Sequence, residues 1–487
     1  MNIYIRKYLS QFFLFLVFLV AVSCSSWKTP ESVMESEPTI FPDYKDITVP
    51  YNIAPLNFMI EDAKRLQTVI SIDGKEKLKV VGKEGLISIP LRKWRTLTEQ
   101  SRGGSLEFQV SVWSDEYPDG IAYSPFVVNV AEDEIDPWIA YRLIEPGYVG
   151  WRQIGLYQRN ITNFEESEIV TNHNSNTTCI NCHHFSSYSS KEMMFHARGD
   201  NGGTILYKDG LLRKINFKEI WPNKNTTYPS WHPDGRYIAF SSNTTHQVFF
   251  GEGQQPIEVY DTDSDLVVYD TESGEVLTDP RFLTEEVMET FPNWSPDGKH
   301  LYYAAADTRD LPNEIGYVKY HLMRVGFDSQ TGRFTECIDT LYNANERNGS
   351  TSHPRISPDG KYLLYTHTDY GTFPIWHPEA DLKMMNLCTG EDVDISIWND
   401  MEQADSYHSW SSNGRWVMYG SRRIDGRYTR LYIAYLNDEG APCKPFLLPQ
   451  KDPRYNVWRV KSFNVPEFID GEVKLPKKAA DMFYSED

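Results

Sequence analysis

Short runs of alternating apolar and polar residues fill most of this chain, and that period of two predicts strands rather than helices. Leu66-Gln67-Thr68-Val69-Ile70-Ser71-Ile72 ends at Asp73-Gly74, and Leu106-Glu107-Phe108-Gln109-Val110-Ser111-Val112 keeps the same rhythm. Leu86 to Ile89 and Phe126 to Val130 are shorter runs of the same kind. Spaced this way and punctuated by Gly and Asp, they predict a small β-sandwich over residues 46–135. Residues 136–178 break the pattern. Trp138, Tyr141, Tyr148, Trp151, Tyr157 and Phe164 mix there with Arg142, Arg152 and Arg159, as expected of a packed connector between two domains.

Beyond residue 180 an internal repeat takes over. Tyr228-Pro-Ser-Trp-His-Pro-Asp-Gly-Arg-Tyr-Ile-Ala-Phe recurs as Phe291-Pro-Asn-Trp-Ser-Pro-Asp-Gly-Lys-His-Leu-Tyr-Tyr. It returns at His353-Pro-Arg-Ile-Ser-Pro-Asp-Gly-Lys-Tyr-Leu-Leu-Tyr, and more loosely at His408-Ser-Trp-Ser-Ser-Asn-Gly-Arg-Trp-Val-Met-Tyr. Pro-Asp-Gly makes a tight turn between strands, Pro fixing one dihedral and Gly accepting a positive one. A second hairpin follows each turn, as in Leu266-Val-Val-Tyr-Asp to Gly274-Glu-Val-Leu. Such a four-stranded unit cannot bury both faces alone and must stack radially on its neighbours. The expected fold is all-β: the sandwich, then a β-propeller over 179–472, and a tail at 473–487. Four copies are plain, a fifth is inferred around 182–210, and a sixth is expected to close the ring.

The amino-terminal stretch changes the picture of where the chain works. Arg6 and Lys7 precede an apolar run from Phe12 to Val22, and Ala21-Val22-Ser23 leads into Cys24. That is the layout of a signal peptide, 1–23, with a small-residue cleavage site. Ala21-Val22-Ser23-Cys24 also resembles a bacterial lipobox, although that pattern prefers Leu where Ala21 stands, so plain cleavage stays open. The resemblance implies lipidation of Cys24, and Ser25 in place of an Asp implies the outer membrane. Residues 24–45, rich in Ser, Pro, Glu and Thr, are expected to be a flexible lipidated tether. A net charge of −20 argues against nucleic acid, whose phosphates require a basic face.

Six cysteines less Cys24 leave five, an odd number that speaks against a complete disulfide framework. Cys179-Ile180-Asn181-Cys182-His183 matches the attachment signature for one covalent haem c: two thiols for the vinyl groups and an adjacent imidazole for the iron. A thioredoxin-like pair would need a strand–helix context. Zinc would need further ligands at motif spacing, with His184 or His196 available, and a disulfide is the other alternative. Export favours haem. His183 is then the proximal ligand, and His196 is the first candidate for the sixth position, followed by Met193, Met194, His173 and His184. The aromatics and arginines of 136–178 would lie against such a group.

The repeats over roughly 180–470 resemble those of TolB-like six-bladed propellers. The departure is the amino-terminal domain, α/β in TolB, which puts TolB's partnership in doubt for this chain. With Tyr157-Gln-Arg-Asn160, the cysteine motif and Phe195-His196 in one block, the chain also resembles a Bacteroidetes family of TolB-like proteins loosely called cytochrome c biosynthesis proteins. That resemblance implies a periplasm-facing, lipid-anchored monohaem protein acting in electron transfer or redox sensing, with an unknown redox or envelope protein partner. The alternative is a scaffold that binds an envelope protein or glycan, with haem as a structural cross-link. A serine hydrolase is not expected, because about fifteen residues follow Gly471 and no G-x-S-x-G elbow occurs.

Overall fold

A computed structural model describes residues 29–145, 154–172, 179–198, 202–221, 226–250, 255, 257–476 and 479. The signal peptide, Cys24 and His173 lie outside the described residues. Six four-stranded antiparallel sheets form a ring in which each touches the next. Blade 1 is Cys179–Phe185, Glu192–Arg198, Gly203–Lys208 and Leu211–Ile215. Blade 2 begins at Thr227–Trp231 and continues through the long hairpin Tyr237–Phe249/Ile257–Asp270 to Val276–Leu277. Blades 3, 4 and 5 begin at Val287–Trp294, Ser350–Ile356 and Asp405–Trp410 and repeat the same order.

The segment expected to be a connector is three strands of blade 6. Trp138–Ile144, Gly155–Asn160 and Glu166–Thr171 pair in order, and Ser462–Ile469 adds the innermost strand from the far end of the chain. Burial on both faces hid them from the alternation rule. Ile139, Tyr141 and Leu143 pack towards blade 5 and the amino-terminal domain, while Ala140 and Leu156 pack towards blade 1.

The amino-terminal domain also differs from the expected pair of facing sheets. Its nine strands belong to one hydrogen-bonded sheet, and a helix, Leu91–Gln100, packs into its core. Leu91, Trp94 and Leu97 recur at helical spacing, and the Trp94 indole donates to Ile53 O at 2.9 Å. The strand expected over Leu86 to Ile89 stops at Ile87, ahead of the helix. Asp73-Gly74 turns Arg65–Ile72 into Lys75–Lys83 as the alternation predicts, both turn residues having positive φ.

Two features recur in the repeat, one within the turn and one between blades. Within the turn, the Ser295 hydroxyl donates to Asp297 at 2.6 Å, and Asp297 accepts from Lys299 N. The same triangle recurs at Ser357, Asp359 and Lys361. The motif tryptophan crosses the gap: Trp294 Nε1 donates to Ser230 O in blade 2, and Trp410 Nε1 to Arg355 O in blade 4.

Candidate functional site

Every inner strand carries a β-bulge, and one residue of each bulge sits in the left-handed region. These residues are Cys182, Tyr228, Phe291, His353, Tyr407 and Val465, with φ of 50, 48, 53, 53, 50 and 46°. None is glycine, so each position costs about 1–2 kcal/mol, a strain repeated six times around one axis. The kink turns all six side chains into one cavity of about 350 Å³ at the mouth of the central channel. Tyr228 and Phe291 lie 4.2 Å apart between ring centroids, Phe291 and His353 3.9 Å, and His353 and Tyr407 4.7 Å. Two residues further along each strand, His184, Ser230, Asn293, Arg355, Ser409 and Glu467 surround a second chamber of about 280 Å³. Arg355 borders both.

The long hairpin of blade 2 contributes the roof. Thr245, His246, Gln247 and Val259 border the cavity together with Phe373 from blade 4. A buried cluster latches hairpin to loop: His377 lies 3.3 Å from Glu258 through Nε2 and 2.9 Å from Glu379 through Nδ1. Burial alone would lower the His377 pKa, but the two carboxylates outweigh it and hold it up at about 9. The latch is therefore strongest below the ordinary histidine value and is lost as pH rises through about 9. In Glu258→Gln the NMR titration midpoint of His377 is expected to fall by about one pH unit or more. An unchanged midpoint would assign the shift to Glu379 alone.

The predicted haem residues are not gathered around one plane. Cys179 to Phe185 is an extended strand paired with Glu192–Arg198 at both ends. Cys182 and His183 border the cavity; Cys179, 6% exposed, does not. His183 is buried with Nε2 3.6 Å from Glu467 Oε1 and its ring edge-on to Phe185. Burial, then Arg142 and Arg355, push His183 down to about 3, and burial pushes Glu467 up to about 8. Both shifts favour the neutral form, which opposes ion pairing in this contact.

His196 points the other way. Its Nδ1 meets the Thr204 hydroxyl at 2.7 Å and its ring packs on Phe240 of blade 2. Phe185 and Phe240 belong to the clusters on opposite faces of blade 1, so His183 and His196 do not share a metal position. Met193 and Met194 are likewise divided between those faces, and His184 Nδ1 accepts from Trp231 N at 3.3 Å. Among the described residues no three His, Cys, Asp or Glu side chains are arranged to hold a metal ion. In this arrangement His183 and His196 do not form an axial pair for a haem.

Arg355 and the sixth bulge at Val465 escaped the sequence reading, whereas Arg142 belongs to the stretch expected to lie against a bound group. The bulge was detectable: Asn464-Val465-Pro466-Glu467-Phe468 stands where Thr227-Tyr228-Pro229-Ser230-Trp231 stands in blade 2, Phe replacing the tryptophan.

No family model matches the chain. An uncharacterized peptidase, YuxL, of Bacillus subtilis is 26% identical over 212 residues, which are 39% of this chain and 27% of that protein. The chain thus spans about a quarter of that relative's length. Among solved structures, TolB from Acinetobacter baumannii matches with a TM-score of 0.43 at 14% identity, over 78% of this chain and 85% of that one. A puromycin-hydrolysing peptidase of Mycobacterium tuberculosis matches with a TM-score of 0.35 at 12% identity, over 83% and 57%.

Proposed function

We propose that this chain is an exported, lipid-anchored binding scaffold of the cell envelope, whose ligand enters the mouth of the propeller channel. One observation carries this reading: six strained inner-strand residues, one per blade, converge on a roofed cavity. Its wall also holds buried polar atoms without a hydrogen-bond partner. His183 Nε2, His353 Nε2, Asn181 Oδ1 and Arg142 Nε are such atoms, and unsatisfied groups of this kind are costly unless a ligand or water completes them. Export and anchoring rest on the Arg6 to Cys24 segment. Among the described residues no helix is long and apolar enough to cross a membrane.

Cys182 provides the test, because it is a thiol in the cavity wall. A bound ligand is expected to slow its alkylation several-fold, leaving exposed Cys337 and Cys388 unchanged. Envelope glycan fragments and peptides are the probes, with peptide mass mapping as the readout. Failure of every probe class to protect Cys182 would remove the proposal.

The same measurement addresses the redox reading. With both thiols free, Cys182 is expected to alkylate well ahead of Cys179, whose thiol burial pushes up. If protein from its native envelope instead resists alkylation at both positions, carries a Soret band and stains for haem after denaturation, the motif holds haem, and a reversible potential would then favour electron transfer or redox sensing over a structural cross-link.

A further inference from the structure

The charge of the cavity wall opposes that of the chain. Against a net charge of −20, the wall formed by the described residues holds Arg142, Arg198 and Arg355 and no Asp or Glu. Among the described residues none of these arginines forms an ion pair. Arg142 donates through Nη2 to the neutral Asn464 at 2.6 Å, and its buried Nε has no partner. Arg355 donates to its neighbour's carbonyl, Pro354 O, at 3.3 Å. Asp261 on the roof hairpin is occupied by Asn243 and Thr245 and does not border the cavity. Uncompensated guanidinium groups at the edge of a low-dielectric cavity attract an anion, and their planar fork matches a carboxylate.

The rest of the wall specifies what carries that carboxylate. Tyr228, Phe291, His353 and Tyr407 form a continuous aromatic arc, and Phe373 stands edge-on to Tyr228 and Phe291 at 6.2 and 6.4 Å. Flat faces of this kind take a ring by stacking. A volume of about 350 Å³ is at the small end of ligand sites and admits one such ring. Resting on the reading that the channel mouth binds a ligand, we infer that the ligand is a carboxylate borne on a single six-membered ring, held by Arg142 and Arg198 over the Tyr228–Tyr407 arc. An aromatic acid and a terminal uronic acid share that chemistry.

The test measures protection of Cys182 in the full mature chain by 4-hydroxyphenylacetate and by glucuronate, each against its neutral partner, 4-hydroxyphenylacetamide and glucose. At least one acid is expected to protect at concentrations about tenfold or more below its neutral partner. Which acid does so identifies the source. Arg198→Gln alters an exposed side chain and leaves the fold intact, and it is expected to weaken that protection about tenfold. Arg142→Gln is expected to weaken it further. Equal protection by acid and neutral partner, or an unchanged response in Arg198→Gln, overturns the carboxylate and leaves the binding site standing. If none of the four compounds protects but uncharged glycans or peptides do, the ligand class falls alone. If nothing protects, both readings fall.

Discussion

Between pH 7 and pH 5 the melting temperature is expected to fall by a few °C, because five buried histidines must stay neutral for the propeller to hold together. His353 and His408 lie in consecutive inner strands, their rings 3% to 5% exposed. Burial, with Arg355 nearby, pushes His408 down to about 3 and His353 well below its ordinary value. Burial likewise puts His183, His184 and His196 at about 3. A pKa lower in the folded chain gives stability that is complete above the unfolded value of about 6.5 and drains as pH falls towards the folded one. Glu467, pushed up to about 8, has the opposite sign: its contribution is complete below the unfolded carboxyl value and is lost as pH rises through about 8. His377, Glu289, Asp261 and Asp405, all raised in the folded chain, share that sign and offset much of the loss, so the net fall is smaller than five histidines alone would give. Thermal melts at pH 7, 6 and 5 check the slope, and His408→Gln is expected to flatten it. A melting temperature unchanged to pH 5 would mean that the histidines find water or anions in the channel.

What the sequence disclosed was local, and what it concealed was long-range. Pro-Asp-Gly turns are written in three adjacent residues, so four blades were legible at once. Blade 6 joins Trp138–Ile144 to Ser462–Ile469 across more than three hundred residues, and its closing strand carries Phe468 where blades 2, 3 and 5 have tryptophan. Alternation failed there because both faces are buried. It was also silent on Leu91–Gln100, a helix that begins just after the run read as strand over Leu86 to Ile89. The Cys179–His183 motif was legible as spacing, yet spacing carries no conformation. In a strand, Cys179 and Cys182 are separated by the bulge instead of being brought together. The arginine pair illustrates the same limit: Arg142 and Arg198 come from blades 6 and 1, and only ring closure makes them neighbours of one cavity.

Ring closure also explains the second large effect. Arg430→Met is expected to destabilise the protein by about 3–5 kcal/mol and to loosen the closing strand before the rest of the ring. Arg430 is 1% exposed, and its guanidinium donates to four backbone carbonyls: Asn456 at 2.6 Å, Arg459 at 2.6 Å, Lys461 at 3.0 Å and Thr429 at 3.2 Å. No carboxylate bonds to it, and burial lowers its pKa to about 10, so these carbonyls replace its hydration. Three of them belong to the segment immediately before Ser462. Arg430 therefore fixes the path by which the chain leaves blade 5 and returns to blade 6. Methionine fills a similar volume but leaves the carbonyls of Asn456, Arg459 and Lys461 without this donor, Thr429 O keeping Phe463 N. Hydrogen exchange distinguishes this mechanism from general core damage. Amides of Ser462–Ile469 and Trp138–Ile144 are expected to lose protection first, whereas those of blades 2 and 3 keep it. Uniform loss across the six blades would show instead that the ring opens as a single cooperative unit.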